Sequence, residues 1–146
     1  MAKVVRLTNP AAFKRTEVQE LFKSAFESNP IAEYDQVIGE LVALPADPMV
    51  GMFIGAEKGK LAALCIACLP RSALTPVPSV YHFYNAGSAK LREALIAATV
   101  DFFLEAGYTR FWTINATGAS DEAHAKLFRS AGEAKRIGSF LEFAIG

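Results

Sequence analysis

Between positions 16 and 43 apolar side chains recur every three or four residues, first at Val18, Leu21, Phe22, Ala25 and Phe26, then at Tyr34, Val37, Ile38, Leu41 and Val42. That spacing draws an apolar stripe down one side of a helix. It predicts two amphipathic helices in succession, divided by Asn29-Pro30 and stopped by Pro45. Ahead of them, residues 3–8 read as a strand, and Asn9-Pro10 supplies a cap residue followed by proline at the first helical position.

The period then shortens to two. "MVGMFIGAEKGKLAALCIACLP" is two apolar runs around "EKGK", the pattern of a β-hairpin with glycine in its turn. Proline-rich "RSALTPVPS" predicts a loop, and "SVYHFYN" a strand whose alternation puts Val80, His82 and Tyr84 on one face and Tyr81 and Phe83 on the other. Residues 88–106 carry the longest helical pattern, with Leu91, Leu95, Ala98 and Phe102 in line, Ile96, Val100 and Phe103 beside them, and Gly107 to close it. A strand in "TRFWTIN" follows, then a short helix over residues 120–131 ended by Gly132, and a last strand in "RIGSFLEFAI". The expected order is β-α-α-β-β-β-α-β-α-β, an α/β fold with a mixed central sheet and helices on both faces. No repeat or linker divides residues 1–146, so a single domain is expected. The long helix makes a βαβ crossover, which sets its two flanking strands parallel.

Composition narrows the function. At 146 residues and 52% hydrophobic content the chain can bury a core of normal size. Fifteen basic and fifteen acidic side chains cancel, which leaves no electrostatic case for a nucleic-acid or membrane partner and favours a small ligand. No apolar run approaches the ~20 residues of a membrane span, and "MAKVVRLTNP" reads as a strand and not as a secretory leader, so a cytoplasmic protein is expected. Cys65 and Cys68 form a CxxC, but residues three apart on a strand point to opposite faces, and His82 and His124 lack the spacing of a zinc site. Two reduced core cysteines and no metal are expected.

Candidate chemistry gathers in "HFYNAGSAKLREAL", residues 82–95, which reads as a strand end, a tight turn at Gly87 and the opening of a helix. Unpaired N–H groups and the positive end of the helix dipole make such a place attractive to an anion. Lys90 and Arg92 oppose the dipole there by about 0.3–1 kcal/mol each when exposed, and a bound anion reverses the sign of that cost. Ordinary solvated charge, partly offset by Glu93, is the plainer account of the same residues.

The element order, with "GYTRFWTIN" after the long helix and "LFRSAGEAKRIGSFLEFAI" at the end, resembles the GNAT superfamily of N-acetyltransferases over nearly the whole chain. The resemblance implies acetyl-CoA or another acyl-CoA as co-substrate, a small-molecule or peptide amine as acceptor, and a cofactor groove between splayed parallel strands. A homodimer is left open. Phe83, Tyr84 and Asn85 would run along the pantetheine arm with Asn115 across from them, and Gly87, Ser88, Ala89 and Lys90 would hold the pyrophosphate. The family's Q/R-x-x-G-x-G/A turn can be laid on in two ways. "YNAGSA" sets Gly87 and Ala89 in the small positions and Tyr84 at that of Gln or Arg. Counting back from Gly107 sets Gly87 there instead, with Lys90 and Arg92 in the small positions. The first is preferred, because small residues let a backbone approach a phosphate.

On the last helix the family's N-x-x-A-x-x-x-Y pattern falls on Asp121, His124 and Phe128, so the phenol that protonates the leaving thiolate is absent. Weak CoA motifs with a His on that helix are similar to phage-encoded GNAT-like proteins. His82, on the strand lining the groove, is the candidate base, and Tyr84 the candidate acid. His124 is either functional or a satisfied, partly buried residue. Glu33 and Tyr34 fall where the family binds acceptors, and Trp112 reads as core. Two functions follow: an acyl-CoA-dependent N-acetyltransferase, or a catalytically inactive GNAT-like binding or structural protein, virion-associated in a phage.

Overall fold

The computed structural model of the chain describes residues 1–28, 33–71, 76–114, 120–138, 141 and 143–145. Strands β1 (Ala2–Arg6), β2 (Val50–Glu57), β3 (Lys60–Cys68), β4 (Ser79–Asn85) and β5 (Trp112–Thr113) lie side by side in sequence order. Each neighbouring pair is antiparallel except β4 and β5, which are parallel, as a βαβ crossover requires. The helices are α1 (Thr16–Glu27), α2 (Tyr34–Ala43), α3 (Ala89–Glu105) and α4 (Asp121–Leu127). From β1 to α4 the order is the one the hydrophobic periods predict.

Local chemistry explains the joints. Lys58 and Gly59, between β2 and β3, both have positive φ, 54° and 77°, so the hairpin closes on a two-residue turn whose twist matches its strands. Asn9 caps as expected, its side chain accepting from Ala11 N–H at 2.9 Å, but it opens a short 3-10 turn over Pro10–Lys14 and not α1. Arg15 is extended (φ −80°, ψ 130°) and resets the chain, so α1 begins at Thr16. Past the end of α3, Gly107 takes φ 90°. Its N–H reaches Leu104 O at 2.9 Å while Tyr108 N–H reaches Phe103 O at 3.0 Å, which satisfies two carbonyls the helix leaves open.

The sheet carries a core on each face. Val18, Leu21, Phe22, Ala25 and Phe26 of α1 bury against Met52, Ile54, Leu64 and Ile66. The alternate residues Phe53, Ala63, Cys65 and Ala67 meet Leu91, Leu95, Ile96, Phe102 and Phe103 of α3. Period two along β2 and β3 thus divides their side chains between two helical layers. Cys65 and Cys68 fall in opposite cores and are both free. Burial pushes the Cys65 thiol up to about 12.

Among the described residues of the last expected strand, 136–138, 141 and 143–145, none is paired in the sheet, and Ile137, Leu141, Phe143 and Ile145 are exposed. Its other positions lie outside the described residues. Trp112, expected in the core, is half-buried, because β5 is short and stands at the sheet edge. Among the described residues no helix is long and apolar enough to cross a membrane.

Candidate active site

The parallel pairing of β4 and β5 is brief: Ser79 faces Trp112 and Val80 faces Thr113. β5 stops there, while β4 continues through residues 81–85 with no partner on that side among the described residues. The positions that follow β5, 115–119, lie outside the described residues. At the same point β4 carries a bulge, since Ile66 pairs with His82 and Ala67 with Val80, leaving Tyr81 as the extra residue.

The bulge overturns the simple alternation expected for this strand. Val80 belongs with Phe83 to the core under α3, while Tyr84 packs with the core under α1 and α2. His82 also turns toward α1. Its ring is 7% exposed, stacks on Phe26 with centroids 4.5 Å apart, and sets Nε2 3.1 Å from the Ala25 carbonyl. A carbonyl only accepts, so Nε2 carries the hydrogen and is spent on α1. Burial pushes the His82 pKa down, opposed by that hydrogen bond. The base expected at His82 thus meets a ring engaged in packing. Tyr84 is half-buried, and its hydroxyl makes no hydrogen bond among the described residues.

The turn between β4 and α3 is wired from within. The Asn85 carboxamide accepts from Gly87 N–H at 3.0 Å and donates to Ser88 O at 3.2 Å. Ala86 N–H goes to Ala62 O. Ser88 caps α3 by accepting from Leu91 N–H at 3.3 Å. The carboxylate of Glu57, at the end of β2, accepts both Ser88 N–H, at 3.2 Å, and the Ser88 hydroxyl. These bonds to Ser88 hold Glu57 below the usual carboxylate range, the hydroxyl bond being the larger cause. An anion does sit at the N-terminus of α3, and the chain supplies it. Of the donors in the turn, the N–H groups of Ala89 and Lys90 are those without an acceptor among the described residues.

Gly87 has a packing reason to be glycine. A Cβ there would stand 2.7 Å from Cδ2 of Leu91, which is fully buried beneath the turn. The small residue admits Leu91 whether or not a phosphate ever approaches. Lys90 is exposed and Arg92 half-buried.

α4 and the residue after it lie against this end of β4 and β5. Phe128, just past its end, has its ring 5.0 Å from Phe83 and 6.2 Å from Phe111. One turn earlier His124 Nε2 lies 2.8 Å from Thr113 Oγ1, the last residue of β5. Burial lowers the His124 pKa and Asp121 partly restores it. Asn115 lies outside the described residues. Glu33 and Tyr34 stand at the start of α2, with the Tyr34 ring 6.4 Å from Phe26. Among the described residues no three His, Cys, Asp or Glu side chains gather as a metal site. Glu57 and Thr113 are the members of this region that sequence reasoning missed. Glu57 had one signal, an acid flanking the hairpin turn, and Thr113 had none.

Among the described residues the mixed sheet of five strands, with helices on both faces and a parallel pair joined through α3, matches the fold of solved GNAT acetyltransferases. An aminoglycoside acetyltransferase from an uncultured soil metagenomic sample, solved in complex with trehalose, is 17% identical with a TM-score of 0.70, the match covering 99% of this chain and 97% of that one. The aminoglycoside 6'-N-acetyltransferase of Acinetobacter baumannii is 10% identical with a TM-score of 0.68, and the match covers 100% of both chains. Glucosamine-6-phosphate N-acetyltransferase from Arabidopsis thaliana is 11% identical, with a TM-score of 0.65 and 98% of each chain covered. No family model and no curated protein matches the sequence.

Proposed function

We propose that this chain is one cytoplasmic N-acetyltransferase domain that carries an acetyl group from acetyl-CoA to the amine of a polar small molecule. Beyond Val80 and Thr113 the two strands part as a wedge that admits the cofactor, and the observation that supports this is a parallel pair beside a bulge, with open N–H groups at the head of the next helix. The backbone of Phe83, Tyr84 and Asn85 lies along the pantetheine arm. Gly87, Ser88, Ala89 and Lys90 meet the pyrophosphate, chiefly through the N–H groups of Ala89 and Lys90 and the charge of Lys90. Tyr84, expected as the acid for the departing thiolate, has its ring packed with the core under α1 and α2 and is not assigned that role. His82 takes the role of fixing the bulged strand to α1, since its Nε2–H is committed there. Solved structures of the same fold include enzymes acting on aminoglycosides and on a sugar phosphate, which supports a polar amine as acceptor class.

Calorimetry with acetyl-CoA, using desulfo-CoA and adenosine bisphosphate as controls, tests the first half. Micromolar binding is expected in the native chain and at least a tenfold loss in Lys90→Glu, a change of about 1.4 kcal/mol. Thiol release with sisomicin, glucosamine 6-phosphate and an alanyl peptide then sorts the acceptor. The second reading, a noncatalytic phage-associated binding protein, is favoured by one observation: Glu57 already occupies the anion position. Absence of binding at millimolar acetyl-CoA would decide for it.

A further inference from the structure

Transfer to an amine must move one proton off the attacking nitrogen and deliver one to the departing sulfur. Phe128 has no hydroxyl to do the second, and the His82 Nε2–H is held by Ala25. The remaining histidine is differently placed. His124 Nε2 meets Thr113 Oγ1 at 2.8 Å, and Thr113 is the last residue of β5, paired with Val80. The other ring nitrogen, Nδ1, is buried with no hydrogen-bond partner among the described residues. With the ring hydrogen on Nδ1, Nε2 is the nitrogen that accepts from the Thr113 hydroxyl. Around the imidazole stand Phe128, 5.5 Å away, and, beyond that ring, Phe83 and Phe111.

We propose that Thr113 and His124 form a proton relay at the apex of the wedge, with Thr113 touching the reacting atoms and His124 acting as its reservoir. This rests on the acetyl-CoA reading above. As the amine nitrogen bonds to the thioester carbon, its surplus proton passes to Thr113 Oγ1, whose own hydrogen moves to His124 Nε2 and makes an imidazolium. When the carbon–sulfur bond breaks, the imidazolium returns that hydrogen to Oγ1, and Oγ1 gives one to the sulfur. The products are amide and free CoA thiol, with both residues as they began. The resting ring must be neutral, and burial favours that form. Among the described residues the charged group that acts on the ring is Asp121 on its own helix, itself 3.7 Å from Arg136. β4 and β5 contribute no charged side chain there.

Thr113 is the catalytic residue of the pair and His124 its positioning partner, so the test needs more than a lost rate. Acetyl-CoA affinity by calorimetry and CoA thiol release with sisomicin are measured for the native chain, His124→Gln, Thr113→Val and Thr113→Ser across pH 5.5 to about 9. His124→Gln and Thr113→Val should bind acetyl-CoA as the native chain does and lose about 100-fold in kcat. Thr113→Ser should restore most of the rate. The ratio of native to His124→Gln rate should fall on the acid side as His124 protonates, a limb the amine's own titration, common to all variants, cannot produce. Unchanged kcat in His124→Gln, or a pH-independent ratio, overturns the relay. A native chain that binds acetyl-CoA yet releases no thiol overturns the relay and leaves cofactor binding standing, whereas a native chain that binds none removes both.

Discussion

Glu57 and Lys90 have opposite effects at the head of α3. The carboxylate satisfies Ser88 and complements the dipole, so it stabilises the turn in the free protein while competing with any phosphate that approaches. Replacing it by Gln keeps an acceptor for Ser88 and removes the negative charge. Glu57→Gln should therefore tighten acetyl-CoA binding by about two- to fivefold, the factor expected for one charge at a helix terminus. Weaker binding in calorimetry would show that the carboxylate orders the turn more than it repels the ligand. The sign of pH dependence follows from the same contact. Because the Glu57 pKa is lowered, its stabilising contribution is present above the ordinary glutamate value and is lost as pH falls through the lowered one.

How α3 seats on the turn depends on Gly87. Adding a methyl group there drives it into Cδ2 of Leu91, a fully buried side chain. Gly87→Ala should cost about 1–3 kcal/mol, the range for overpacking a filled site, read as a lower midpoint in urea at unchanged slope. Equal stability of the two proteins would mean that Leu91 swings aside and that the glycine serves a ligand after all. At the same level the bulge at Tyr81 explains where sequence reading failed. Alternation placed Val80, His82 and Tyr84 together, and one inserted residue moved Val80 to the opposite core. Nothing in "SVYHFYN" distinguishes a strand with that insertion from one without it, because the signal lies in the β3 partner.

Both histidines sit where burial disfavours the imidazolium. The unfolded chain, with ordinary values of about 6.5, then binds more protons than the native state on acidification, so stability is greatest above that value and declines as pH falls below it. His82, stacked on Phe26 and bonded to Ala25, should supply the larger part. Chemical denaturation at pH 7.5 and 5.5 should show a smaller acid loss in His82→Gln than in the native chain, although the variant is less stable at both. An identical acid loss would place the effect elsewhere.

Much of the architecture was legible in the amino-acid order, because it depends on neighbours a few positions apart. The stripe from Val18 to Phe26, the period-two runs on either side of Lys58-Gly59, the Ser88 and Gly107 ends of α3 and the crossover that sets β4 and β5 parallel all follow from local geometry. The candidate site was legible only as a place, the turn after β4. Its content came from contacts between segments far apart in the chain. Glu57 reaches Ser88 across 31 residues, and His82 meets Ala25 across 57. Such contacts depend on strand register and on which helix covers which face, and a pattern confined to neighbouring residues carries neither.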